Sequence, residues 1–176
     1  EVPTGMSSIC PSRGGAGAAV LDASTGSTVP LVGVPEVRLF GLSTGPLFAT
    51  RHGTLSGEVP TVPEHLTERR FGYDIAAVSA IGEWLTDASE LCVLDDVSAL
   101  VLEWDGFTES GARVHSQLRV DRATDEVELS YFPDHALRLP PTRTVGIVDR
   151  TKELMVLHED PIPLGRTLRF TPVVHP

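Results

Sequence analysis

The sequence predicts an all-β fold, an antiparallel β-barrel or β-sandwich with at most one or two short helices. Apolar and polar residues alternate with period two through residues 113–132, the mark of paired strands. Prolines at Pro30, Pro35, Pro46, Pro60 and Pro63 interrupt the apolar runs of the first third, a spacing that excludes long helices. Short apolar runs separated by turn residues then recur to the C-terminus, as in sandwiches and barrels.

A chain of 176 residues suits one domain and can bury a sizeable core, roughly 70% of the surface its unfolded chain exposes. Residues 1–28 are expected to form a flexible arm or linker, because residues 7–28 are dominated by glycine, serine, alanine and threonine, including Gly14, Gly15 and Gly17. Residues 29–176 form the single β-rich domain. The first residue, Glu1, is not methionine, which suggests a processed chain or a piece of something longer.

Within the domain, residues 36–40 and 46–50 read as strands, with Gly41 and Gly45 available for the turn between them. Residues 63–70 have helical composition, with Glu64 near the start and Arg69 and Arg70 near the end, matching the helix dipole. Ile75, Val78, Ile81 and Leu85 fit a helical stripe or a short strand. Residues 91–94 and 99–104 read as buried strands, with Asp95 and Asp96 bonding the turn backbone between them.

The hairpin of residues 113–132 is the clearest element. Pairing Val120 with Val127 and Leu118 with Leu129 joins the apolar faces and sets Arg119 opposite Glu128. A second hairpin is expected from residues 144–148 to 153–158, and a last strand over residues 167–171.

Charge and composition narrow the function. The net charge is −10, and the single lysine and thirteen arginines are spread along the chain, so nucleic acid is not an expected partner. No apolar run reaches the ~20 residues of a membrane-spanning helix, and membrane insertion is not expected. Cys10 and Cys92 lack any metal-binding spacing. Two free thiols fit, and so does one disulfide in an oxidising compartment. Asparagine is absent, which excludes N-linked glycosylation of this chain.

No catalytic constellation, metal site or cofactor motif emerges, and the chain is read as a non-enzyme. Arg51, His52 and Gly53 resemble the arginine, histidine and glycine motif of histidine phosphatases, but stand among short strands and prolines instead of in that family's α/β setting. His158, Glu159 and Asp160, and likewise Asp134 with His135, are metal-ligating types without metal-ligating spacing. Trp84 and Trp104 are the only tryptophans. Trp104 and Asp105 are the ligand-binding candidates, since a tryptophan flanked by acids can stack on a sugar while carboxylates accept hydroxyl protons; the competing reading of Trp104 is core packing. Six histidines among twenty-four acidic residues add a capacity for charge change between about pH 5 and 7.

From Gly111 onward, Arg113 and Val114, an alternating strand, a turn, a second alternating strand and then Leu137, Arg138, Leu139, Pro140 and Pro141 resemble the C-terminal part of calicivirus protruding domains. The resemblance implies a projection of a small icosahedral RNA virus capsid, calicivirus-like or nodavirus- or tetravirus-like, at the virion surface. Its partners would be other copies of the capsid protein and a host-surface receptor or glycan. The arginine bias and missing asparagine also suit a secreted or surface-bound bacterial β-domain that binds carbohydrate or protein outside the cell.

Overall fold

The computed structural model describes residues 6–20, 28–39, 42–43, 45–57, 77–81, 84–136, 145–148, 155–158 and 164–172. In chain order the strands are β1 (Ala18–Ala19), β2 (Thr28–Pro30), β3 (Arg38–Leu39), β4 (Leu42–Ser43), β5 (Phe48–Thr50), β6 (Thr54–Ser56) and β7 (Ala77–Ser79). They continue with β8 (Glu90–Asp95), β9 (Ala99–Phe107), β10 (Arg113–Asp121), β11 (Val127–Tyr131), β12 (Val145–Val148), β13 (Met155–His158) and β14 (Thr167–Phe170). One 3-10 turn, Pro11–Arg13, is the only helix among the described residues.

Two six-stranded antiparallel sheets result, in the orders β1-β8-β9-β10-β11-β14 and β13-β12-β7-β6-β5-β2, with a two-stranded ladder of β3 and β4. The end strands of each sheet do not pair with one another, so the barrel alternative gives way to a sandwich. Leu91, Leu102, Leu118 and Leu129 of the first sheet and Leu55, Val78 and Ile147 of the second are wholly buried in one cluster. Two side chains also bond across the interface: Trp104 Nε1 donates to the Thr50 carbonyl at 3.0 Å, and the Tyr131 hydroxyl to the Ala80 carbonyl at 2.9 Å. Each partner is a backbone acceptor, so these large side chains bury their apolar area without orphaning a donor.

The hairpin register read from alternation is the one observed: Val120 faces Val127, Leu118 faces Leu129, and Arg119 faces Glu128. The second hairpin also forms, as β12 paired with β13. Asp96 closes the β8–β9 turn as expected, its Oδ1 accepting from the Ser98 and Ala99 amides at 2.6 and 2.8 Å. The stripe through Val78, Ile81 and Leu85 contributes a strand, β7, all three residues of which are buried. Between β3 and β5 an additional strand, β4, intervenes. The helical segment at residues 63–70, the loop at residues 137–141 and the turn at residues 149–152 lie outside the described residues.

The flexible arm requires correction for residues 6–20. Cys10 is disulfide-bonded to Cys92 of β8, and β1 pairs with β8 at the sheet edge. Ile9 and Cys10 are buried against Cys92, Leu94 and Val101 on the outer face of the first sheet. The glycines that suggested a linker permit this close packing. A Cβ on Gly15 would lie 2.1 Å from the Ile9 backbone carbon, and one on Gly17 2.8 Å from the Ile9 carbonyl oxygen.

Candidate functional site

Alternation along β9 and β10 sends Leu100, Leu102, Trp104, Val114 and Leu118 to the core, and so turns Glu103, Asp105, His115 and Gln117 to the outer face. Register then gathers them: Glu103 lies opposite both Cys92 and Gln117, and Asp105 opposite both Glu90 and His115. An outer face of this kind is ordinarily wet. Here the N-terminal segment lies over it, and Glu103 and His115 are buried.

Glu103 is saturated with donors. Its Oε1 accepts from Ser8 Oγ at 2.5 Å and faces His115 Nε2 at 3.1 Å; its Oε2 accepts from the Ile9 amide at 2.8 Å and Gln117 Nε2 at 2.6 Å. Burial alone would raise this carboxyl, but the bonds from His115, Gln117, Ser8 and Ile9 outweigh it and hold the group below the usual glutamate range. The other imidazole nitrogen, Nδ1, meets Asp134 Oδ1 at 2.7 Å, and Phe132 stacks on the ring with centroids 3.6 Å apart. Asp134 is likewise held low: partial burial raises it, and the His115 contact and Arg113 outweigh that rise.

A carboxylate, imidazole and carboxylate in line is the geometry of a base with an orienting partner. Among the described residues, however, both ring nitrogens of His115 are taken by carboxylates and none meets a hydroxyl or thiol. The string therefore ties Ser8 and Ile9 to the sheet. His135, beside it, has Nδ1 3.1 Å from the His115 amide nitrogen and 3.3 Å from the His115 carbonyl oxygen. Burial pushes its pKa down to about 4.

Among the described residues, two groups bring metal-ligating types together within 4.8 Å, and neither is open to a cation. Cys10 and Cys92, near Glu90, are joined as a disulfide and offer no thiolates. In the group of Glu103, Asp105 and His115, Asp105 is ion-paired to both Arg13 and Arg113, so the chain's own cations already occupy that face.

The ligand candidates of the sequence fare differently. Trp104 is wholly buried at the centre of the sandwich and presents no face to a sugar, because its inward position follows from strand parity. Asp105 is engaged by its two arginines. Asp134 and His135 do come together, through His115, in a protein network. His158 falls on β13, while Glu159 and Asp160 lie outside the described residues.

Arg51, His52 and Gly53 form the turn of the β5–β6 hairpin, with the Gly53 amide donating to the Thr50 carbonyl at 3.1 Å and Gly53 at φ 75°. The turn contributes to a cleft that periodicity could not reveal, since it joins three separate loops. The strap at residues 84–87 is tied to it by the Leu85 amide on the Arg51 carbonyl at 3.3 Å, and to β9 by the Thr86 amide on the Phe107 carbonyl at 2.8 Å. The β9–β10 turn supplies Glu109. Arg51, Trp84, Leu85, Thr86, Asp87 and Glu109 line a half-open depression of about 390 Å³. Trp84 is half-buried, with its ring centroid 3.5 Å from that of His52. Arg51 is buried and its Nη1 is paired with Asp87.

The chain matches no protein-family model, no curated protein and no solved structure.

Proposed function

We propose that this chain is a recognition module displayed outside the cytoplasm, secreted or surface-bound, which binds carbohydrate or protein and carries out no chemistry of its own. The observation that carries the reading is the buried Cys10–Cys92 disulfide. Both cysteines are fully buried, so oxidation has to precede or accompany folding, in a compartment that permits it. The cytosol keeps thiols reduced; the secretory route and the periplasm do not. A sandwich stapled in this way also resists the loss of its peripheral N-terminal segment, which suits an exposed setting.

Non-reducing peptide mapping of the protein from its native source tests the reading. The expected product is a single cross-linked peptide pair containing Cys10 and Cys92. Alkylation of both thiols without prior reduction overturns it.

The capsid-projection reading is supported by the run from Gly111 to Pro141, and it is the second proposal. The reading frame upstream separates the two: a jelly-roll shell with a basic arm supports the projection, and a signal peptide supports the secreted module. A capsid protein that folds in the cytosol would gain this buried cross-link only against the local redox poise, which is why the secreted setting is placed first.

A further inference from the structure

Residues 6–19 lie against the sandwich without sharing its core. Of these residues only Ile9, Cys10 and Gly17 are buried, and both residues of β1 are exposed. The apolar partners of Ile9 and Cys10 are Cys92, Leu94 and Val101, on the outer face of the first sheet and apart from the cluster between the sheets. A segment that buries so little apolar surface has a low stability of its own, and can open without the rest of the domain.

What holds the segment down is polar and covalent. Ser8 Oγ and the Ile9 amide donate to Glu103, and the Ser7 carbonyl accepts from Gln117 Nε2 at 2.8 Å. Ser12 Oγ donates to Glu90, and Arg13 pairs with Asp105 and Asp134. The Arg13 side chain is 41% exposed, so water competes for its pairs and they contribute little. Amid these contacts stands the Cys10–Cys92 bond, the one link in the set that thermal motion does not break. The far end of the segment is fixed: Val20 packs against the main core, and its amide donates to the Leu91 carbonyl at 2.8 Å.

We infer that residues 6–19 form a redox-latched strap, closed over Glu103 and His115 while Cys10 and Cys92 are joined, and able to open as a unit about Val20, with the sandwich still folded, once they are reduced. Reduction is an exchange with a dithiol. Its thiolate attacks one sulfur, its second thiol displaces the mixed disulfide, and it closes to its own cyclic disulfide; two electrons and two protons thereby pass to the cystine, which becomes two thiols. Opening presents Glu103, Asp105, His115, Gln117 and the Cys92 thiol to solvent, so one bond decides whether this row of ionisable side chains is covered by protein or displayed. The latch goes beyond the recognition reading and does not depend on which ligand the module binds.

Native-state hydrogen exchange on the intact chain, oxidised and after treatment with dithiothreitol, tests the latch. In reduced protein the amides of Ile9, Gly15 and Gly17, which bond Glu103 and the Cys10 and Ile9 carbonyls, are expected to exchange together. Their exchange should be at least about a hundredfold faster than that of the interior amides of β9 and β10, and nearly independent of added urea, because a local opening exposes little surface. In oxidised protein the same three should be at least about tenfold slower than in reduced protein. Cys10→Ser removes the bond without a reductant; it should reproduce the reduced pattern, and it decides the test if the buried bond resists dithiothreitol. Segment amides that exchange only together with β9 and β10 overturn the inference, since the strap then has no opening of its own. So does equal protection of the segment with and without the bond, and so does loss of the β9 and β10 protection, or failure of Cys10→Ser to fold. A latch that fails in these ways leaves the extracytoplasmic reading intact while Cys10 and Cys92 are cross-linked in native material. Free thiols in that material, with the strap opening as expected, have the reverse meaning.

Discussion

Removing the Cys10–Cys92 cross-link, by Cys10→Ala with Cys92→Ala, is expected to cost about 3–5 kcal/mol of folding stability. The two residues are 82 apart in sequence. Closing a loop of that length in the unfolded chain removes entropy equivalent to ~4.5 kcal/mol near 25 °C. Two features of the native state adjust the figure in opposite directions. The variant loses two buried sulfurs from the small cluster with Ile9, which adds to the loss. The Glu103 bonds to Ser8 and Ile9 and the β1–β8 pairing persist, so the N-terminal segment is not released outright. Against a total of ~5–15 kcal/mol for a typical domain, the effect is large. Urea unfolding followed by intrinsic fluorescence provides the measurement, with stabilities extrapolated to water because an uncrosslinked unfolded state is more expanded and has a steeper slope. Wild-type protein reduced with dithiothreitol keeps both sulfurs and so isolates the cross-link from the packing. If reduced and oxidised wild type agree within ~1 kcal/mol, the reasoning from chain entropy is wrong for this protein.

Glu103→Ala removes the acceptor for four donors on the covered face and is expected to cost about 3 kcal/mol, with the Ile9 amide losing its hydrogen-exchange protection; a loss below ~1 kcal/mol would show that the network is dispensable. Stability is expected to fall on acidification in two stages. His135 has a folded pKa of about 4, below its unfolded value near 6.5, so its contribution is complete above the unfolded value and is lost as pH falls from ~6.5 toward 4, on the order of 3 kcal/mol. The depressed carboxyls of Glu103 and Asp134 add their loss below their unfolded values, near ~4. Urea melts between pH 7.5 and 4.5 follow the first stage, and an NMR titration of the His135 ring with a midpoint near 6.5 would contradict it. Gly45 and Gly53 both have positive φ, 68° and 75°, but a Cβ meets nothing within 4 Å at Gly45 and lies 2.5 Å from Ile81 at Gly53. Gly45→Ala should therefore cost about 1 kcal/mol for backbone conformation alone and Gly53→Ala about 3 kcal/mol; equal losses would remove the clash from the account.

Local pattern alone determined the strands of the 113–132 hairpin and the partner of each residue within it, because period two ties every side chain to a face and an incorrect register would expose Leu118 and Val120. The same parity places Trp104 inward, so its core reading was legible in the alternation of β9 even though its acidic neighbours suggested a sugar platform. Composition misled at residues 6–20. Glycine and serine signal freedom in an isolated chain, but here glycines allow close approach to Ile9, and Ser8 donates to a buried carboxylate.

The pairing of Cys10 with Cys92, the burial of Glu103 on an outward-facing position and the union of Arg51, Trp84, Asp87 and Glu109 in one cleft were decided only by the tertiary structure. Each depends on which distant segment covers a face or closes a gap. Periodicity records the face a residue occupies, and carries nothing about what lies across from that face once the sheets have packed.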